Sequence, residues 1–153
     1  MTGDGTMLSR GETNHWWMPW KPEVGDNEST LAMLKSVSNL RRGNAKEYLV
    51  YGRMQRPAEI TGIKTVHWES DGQVRNIPAV LHSAWGTHTG KFAIVLANWT
   101  QEPQSLTISD ARLGEQVVPT LSTEEIKTRA PIPNDSRLAL TLPPLSCMLV
   151  EKG

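Results

Sequence analysis

Residues 91–99 read KFAIVLANW, and this stretch decides the fold. It is the most apolar run in the chain. It is bounded by a turn signal on each side, Thr87-His88-Thr89-Gly90 before it and Thr100 to Pro103 after it. A short apolar run so punctuated reads as a β-strand, and the apolarity of this one puts it at the centre of a sheet. Working backwards, residues 73–85 form one long strand or two broken at Pro78. Ser70-Asp71-Gly72 is a turn. Residues 60–69 (ITGIKTVHWE) form a strand with Ile63 and Val66 as candidate core residues, and Glu47–Arg53 is β-compatible. Working forwards, residues 104–108 alternate, with Leu106 and Ile108 on one face, and weaker strands are expected at 116–118 and 125–129. In residues 137–142 (RLALTL), Leu138, Leu140 and Leu142 share a face. Pro143-Pro144 breaks the chain before a closing strand over 145–151. Turn signals at intervals of roughly ten residues are the mark of an all-β sandwich or barrel. The expected fold is mainly β: an antiparallel β-sandwich of about eight strands with one N-terminal α-helix.

The helix is expected over residues 28–42. Asp26, Asn27 and Ser29 offer N-caps, and Glu28 suits the positive first turn. Leu31, Leu34, Val37 and Leu40 recur every three residues with Met33 alongside, which makes one apolar stripe. Arg41 and Arg42 complement the C-terminal dipole, and Gly43 is expected to end the helix in a left-handed conformation. Residues 1–27 are polar and Gly-rich around one aromatic knot, His15-Trp16-Trp17-Met18-Pro19-Trp20, where Pro19, Pro22 and Gly25 argue against regular structure. Three segments follow: an irregular Trp-rich segment at 1–27, a helix at 28–43 and a β-sandwich domain at 46–153.

A chain of 153 residues is one domain, or one domain with an appendage. Sixteen basic and sixteen acidic residues leave no net charge, which removes the electrostatic footprint of a nucleic-acid binder. No apolar run reaches the ~18 residues needed to span a membrane, and no leading segment reads as a signal peptide, so a cytoplasmic location is expected if Met1 is the natural start. Cys147 is the single cysteine and lies in an apolar run, which points to a buried, inert thiol and excludes an intramolecular disulfide.

Catalytic patterns are weak. His15, His67, His82 and His88 lack metal-ligand spacing, and no cofactor is implied. Glu69, Asp71, Glu102, Asp110, Glu115, Glu124, Glu125 and Asp135 include no pair that stands out as the two acids of a glycosidase. No GxSxG elbow is present, and Gly3-Asp4-Gly5 lacks the strand and helix of a phosphate loop. The Asn27, Asn98 and Asn134 sequons carry no functional assignment. Aromatic residues are the remaining lead. Trp68, Trp85 and Trp99 fall at or near strand ends, where they either plug the sandwich core or form a platform on which sugar rings stack. Trp16, Trp17 and Trp20, with Leu31 and Leu34 of the helix stripe, form a candidate interaction surface.

Four passages resemble a known group. Residues 48–57 (YLVYGRMQRP) resemble a Y-L-x-x-G-R-M-x-R-P passage that follows the catalytic barrel in glycoside-hydrolase-like proteins of the DUF6259 type. Residues 77–85 (IPAVLHSAW) resemble V-P-A-V-L-x-S-A-W of the same group, and residues 93–104 (AIVLANWTQEPQ) are similar to its x-I-V-L-x-N-W-T-x-E-P-Q. Residues 142–146 (LPPLS) look like its L-P-P-x-S turn. The resemblance spans about residues 28–151. It implies a C-terminal β-sandwich preceded by a (β/α)-barrel that carries the catalytic acids, with the helix at 28–42 as the last barrel helix. A barrel of about 250 residues has no room here, so its acids have no counterpart in this chain. The implied role is a non-catalytic accessory domain. Its partner would be the barrel of the parent protein, and without the barrel the apolar stripe must fold back on the sandwich or self-associate. The alternative is a carbohydrate-binding module that uses exposed tryptophans.

Overall fold

The computed structural model of the chain describes residues 28–70, 72–135 and 137–153; of Trp68 and Ser70 it describes the backbone alone. The aromatic knot and its candidate surface residues Trp16, Trp17 and Trp20 lie outside that set. Among the described residues two helices come first, α1 (Glu28–Arg42) and the single turn α2 (Lys46–Leu49). Twelve strands follow: β1 (Arg53–Gln55), β2 (Glu59–Thr61), β3 (Thr65–Ser70), β4 (Gln73–Pro78), β5 (Val80–Gly86), β6 (Phe92–Asn98), β7 (Gln104–Ser109), β8 (Gln116–Ser122), β9 (Ile126–Thr128), β10 (Ile132–Pro133), β11 (Leu138–Leu142) and β12 (Ser146–Lys152). A 3₁₀ turn, Ala111–Leu113, joins β7 to β8.

All pairings are antiparallel. The main sheet runs β1-β5-β6-β12-β8-β10, with β9 also on β8, and a second sheet runs β11-β7-β2. β3 and β4 form a separate hairpin. The expected β-sandwich is therefore present, in more and shorter strands than the sequence suggested.

β6 lies between β5 and β12, as its composition required. Every residue from Phe92 to Asn98 is buried because both faces of this strand are covered. Phe92, Ile94 and Leu96 point into the sandwich, with Met148 and Val150 of β12, and meet Leu106, Ile108, Leu138, Leu140 and Leu142 of the second sheet. Ala93, Val95 and Ala97 point the other way. They join Cys147 and Leu149 beneath α1 and α2, against Leu40, Ala45, Tyr48 and Trp85. Small residues at 93, 97 and 147 let the helix backbone approach the sheet. Strands covered on both faces lose polar alternation, which is why β6 reads as one continuous apolar run.

α1 is tied to the sheet by a buried serine clasp. Ser36 Oγ donates to the Ser122 carbonyl and accepts from Cys147 N at 3.0 Å, while Ser122 Oγ returns a bond of 2.8 Å to the Ser36 carbonyl. The helix thus packs back on the sandwich. Its contact face is Met33, Ser36, Val37 and Leu40, the i, i+3, i+4, i+7 set. The expected stripe is rotated from this: Leu31 and Leu34 are only half-buried and stand outside the helix-side cluster.

Other expectations need correction. Glu47–Arg53 is not a strand, because Tyr48 is drawn into the helix-side core as part of α2 and pairing starts only at Arg53. Residues 60–69 are two strands in different sheets, separated around Gly62, whose φ of +87° an extended strand does not accommodate. Gly43 is not left-handed. A Cβ there would lie 2.9 Å from the Asn39 carbonyl and 3.0 Å from Ile126, so its contribution is close approach.

Candidate functional site

A dense polar knot lies where β6 ends. Asn98 is fully buried. Its Nδ2 donates to the carbonyls of Glu102 at 2.7 Å and Pro143 at 2.8 Å, with a longer 3.3 Å approach to Leu142. Its Oδ1 accepts from Thr100 N at 3.0 Å and Thr100 Oγ1 at 2.7 Å, which folds residues 98–102 into an Asx-type turn. Gln104 Nε2 donates to Thr100 Oγ1 at 3.1 Å, and Ser146 Oγ to the Pro143 carbonyl at 2.7 Å. The sequence passages at 98–104 and 142–146 are therefore one structure, assembled across 40-odd residues of chain. The Asn98 amide is already bonded to backbone, and Asn134 likewise donates to the Gly114 carbonyl at 2.7 Å. Of the three sequon asparagines, Asn98 and Asn134 hold turns, and Asn27 lies outside the described residues.

Beside the knot lies a groove of about 510 Å³. Its lining includes Trp99, Leu145 and Val66, with the buried Ala79 behind them, and the exposed side chains of Lys64 and Glu102 border it. Each wall is fixed. Trp99 Nε1 donates to the Pro78 carbonyl at 2.7 Å, and Ala79 N donates to the Lys64 carbonyl at 2.8 Å. Leu145 has φ +49°, where glycine or asparagine is usual, and its N–H bonds to the Thr100 carbonyl at 3.0 Å. A second hollow of about 480 Å³ shares Leu145 and Ser29 with the first and runs along Leu31, Ala32 and Lys35 of α1. Gln101 Nε2 donates to Ser29 Oγ at 2.9 Å and so joins the knot to the start of the helix.

The sequence-nominated tryptophans separate. Trp85 is 6% exposed, belongs to the helix-side core and donates to Ser83 Oγ at 2.8 Å, so its ring plugs the interior. Trp99 is half-buried and borders the groove. Trp68 is on β3, paired with Arg75, two residues beyond Val66.

Acids come together where the list drawn from sequence did not place them. Glu151, at the end of β12, accepts a hydrogen bond from the buried Tyr48 hydroxyl, and both Glu47 and Lys91 act on its charge. Lys91 Nζ lies 2.9 Å from Glu47 Oε2. Burial raises the Glu151 carboxyl above the ordinary carboxylate range, and burial together with the Glu151 charge pushes the Tyr48 hydroxyl well up. Sequence reading missed this group because its members sit on three elements whose meeting has no local signature. Asp110 is held below its usual value by the Arg112 guanidinium, whose Nη2 is 2.5 Å from Oδ2, although burial opposes the shift. His82 Nδ1 and Gln104 Oε1 are buried with no partner among the described residues, and burial lowers the His82 pKa. Among the described residues no three His, Cys, Asp or Glu side chains gather as a cation site, and no helix is long and apolar enough to cross a membrane.

No protein-family model matches the chain, and no curated protein matches it. Parts of several solved glycoside hydrolases are similar to part of it. One is an arabinofuranosidase, with a TM-score of 0.46 and 20% identity over 60% of this chain and 24% of that one. Another is a bifunctional glucanase-xylanase from a metagenome library, with a TM-score of 0.41 and 19% identity over 51% of this chain and 17% of that one. A third is a thermostable GH51 α-L-arabinofuranosidase from Thermotoga petrophila, with a TM-score of 0.42 and 18% identity over 59% of this chain and 23% of that one. The chain matches less than a quarter of the length of each of these structures.

Proposed function

We propose that the chain is a non-catalytic β-sandwich accessory domain of a glycoside-hydrolase-like protein, and that it packs beside a catalytic barrel. One observation carries the reading: the passages that resemble such proteins serve to hold this fold together. Tyr48 fills the helix-side core. Gly52 sits where a Cβ would meet the Tyr48 carbonyl at 2.5 Å. Ala79, Val80, Ala84 and Trp85 are buried. Asn98, Thr100, Gln104 and Ser146 build the knot. A motif used in this way preserves an architecture rather than a reaction. The barrel-facing surface in this reading is the half-buried pair Leu31 and Leu34, together with Val50, Tyr51 and Met54, which are 46%, 66% and 56% exposed. Large apolar side chains left exposed are the kind of surface that packs on a partner.

The test is to sequence the source DNA upstream of the Met1 codon. An open frame that continues into a (β/α)-barrel with paired acids supports the proposal. A stop codon with a ribosome-binding site immediately before Met1 overturns it.

A further inference from the structure

The groove beside Trp99 has the chemistry of a sugar site, and we infer that it binds a neutral pyranose-containing oligosaccharide. A pyranose ring has an apolar C–H face and a hydroxyl-bearing edge. It needs an aromatic or aliphatic wall for the face and a few donors and acceptors for the edge. The accessible apolar lining here is Trp99, Leu145 and Val66, all half-buried. Because the Trp99 N–H already donates to the Pro78 carbonyl, the ring offers the groove apolar surface.

The rim supplies the edge chemistry. Lys64 Nζ and Glu102 Oε2 are 3.9 Å apart, and their side chains are 68% and 75% exposed. An ion pair that exposed and that long holds its partners weakly, so a sugar hydroxyl can exchange into it as acceptor to the ammonium and donor to the carboxylate. One positive and one negative group give the rim no net charge. That selects a neutral sugar over a uronic acid or a sulfated one.

The groove is also prearranged. The Asn98 turn fixes Trp99 from behind, and the β3–β4 ladder, which pairs Thr65 with Pro78 and Val66 with Ile77, fixes the facing wall. Leu145 occupies a left-handed backbone position that a glycine would take without strain, yet its side chain serves as wall to both hollows. Strain retained at the edge of a cleft points to a role for the cleft. A volume of about 510 Å³ falls within the ~300–1,000 Å³ of small-molecule sites. This inference is independent of the accessory-domain reading, which the upstream reading frame tests separately.

The experiment is an NMR titration of the full ¹⁵N-labelled chain with cellohexaose, xylohexaose and mannohexaose, with hexagalacturonate as the anionic control. At least one neutral hexasaccharide is expected to shift the Trp99 indole N–H and the Val66 and Leu145 amides saturably, with Kd of about 0.1–1 mM. Trp99→Ala should weaken binding at least tenfold. The double variant Lys64→Met/Glu102→Gln, confined to exposed side chains, should weaken it about fivefold with an unchanged melting temperature. Any of the following overturns the inference: no shift at Trp99 up to about 10 mM of all three sugars, binding of hexagalacturonate alone, or binding that survives both variants. Occupation of the groove by a second copy, or by the chain's own Trp16–Trp20 segment, seen as contacts to Val66, overturns it too.

Discussion

Replacing Asn98 separates a hydrogen-bonding role from a packing role. Its side chain makes four well-formed bonds, two donated by Nδ2 and two accepted by Oδ1, all to groups within or beside the same turn. Each is worth about 1 kcal/mol net, and the fully buried Asn98 amide itself has no water to replace its partners. Allowing for Thr100 Oγ1, which can turn to solvent, Asn98→Ala should cost about 3 kcal/mol. For a chain of this size, that lowers the melting temperature by roughly 6–12 °C. Asn98→Asp is nearly isosteric, so a packing role predicts almost no effect. The network predicts more damage than alanine causes, because a carboxylate would face the Glu102 and Pro143 carbonyls where an amide donated. The buried acid would then have a raised pKa. Its folded state would hold a proton that the unfolded state releases, so the stability of this variant relative to wild type should recover as pH falls and decline as pH rises. Urea denaturation followed by circular dichroism at pH 4 and pH 7, with equal m-values, gives all these quantities. If Asn98→Asp lies within about 0.5 kcal/mol of wild type at pH 7, the knot is not what holds the turn.

Three further expectations follow from the same geometry. Ser36→Ala removes the donor to the Ser122 carbonyl and the acceptor for Cys147 N, both buried, and should cost about 2–3 kcal/mol by urea denaturation despite alanine's better helix propensity. Gly52→Ala drives a Cβ to 2.5 Å from the Tyr48 carbonyl and 2.9 Å from the Gly86 carbonyl, both backbone atoms that cannot swing aside, and should cost about 1–3 kcal/mol in the same assay. Burial holds the folded Glu151 carboxyl above its ordinary pKa, so its contribution to stability is fully present below that ordinary value and is lost as pH rises through the folded value. Glu151→Gln should flatten the melting-temperature profile between pH 4 and 8 and leave the chain no less stable at pH 7; a profile as steep as wild type would refute the assignment.

The legible parts of the fold were those fixed by local periodicity. The alternation of Leu138, Leu140 and Leu142 and the pair Leu106 and Ile108 identified the inner face of the second sheet, and all five are buried. The unbroken apolarity of β6 marked its central place. What escaped depended on contacts distant in sequence. Of the helix stripe Leu31, Leu34, Val37 and Leu40 with Met33, the packed face takes Met33, Val37 and Leu40 but not Leu31 and Leu34, and Ser36, a polar residue no hydrophobic template would select, lies at its centre. Tyr48 looks β-compatible in sequence because a four-residue helix has no periodicity to detect, and the sheet beneath decides its conformation. Of the three tryptophans nominated for a sugar surface, Trp85 is internal, as the plugging alternative required. The register of β5 against β6, which sets Trp85 beside Ala93 on the helix side, is a tertiary fact.

The same geometry explains why β6 can have scaffold chemistry at one end and an open groove beside it. A strand covered on both faces has no side chain left to offer a ligand along its length. Chemistry must therefore appear where the strand stops, at Asn98 and Trp99, or where its neighbours stop. Asn98 turns inward and is fully consumed by the turn, and this frees the next residue, Trp99, from any part in closing it. At the opposite end of the sheet the equivalent position is Lys91, which is held by Glu47 and acts on Glu151 in the rim beneath α2. One end is thus closed by charge and by the short helix, and the other remains lined by aromatic and aliphatic groups under a neutral rim. Small-molecule sites collect at such strand ends because rigid elements position them while loops supply their side chains. A ligand site on this sandwich is therefore expected at the Trp99 end and nowhere along β6 itself, which is why the Trp99 indole resonance is the probe to follow.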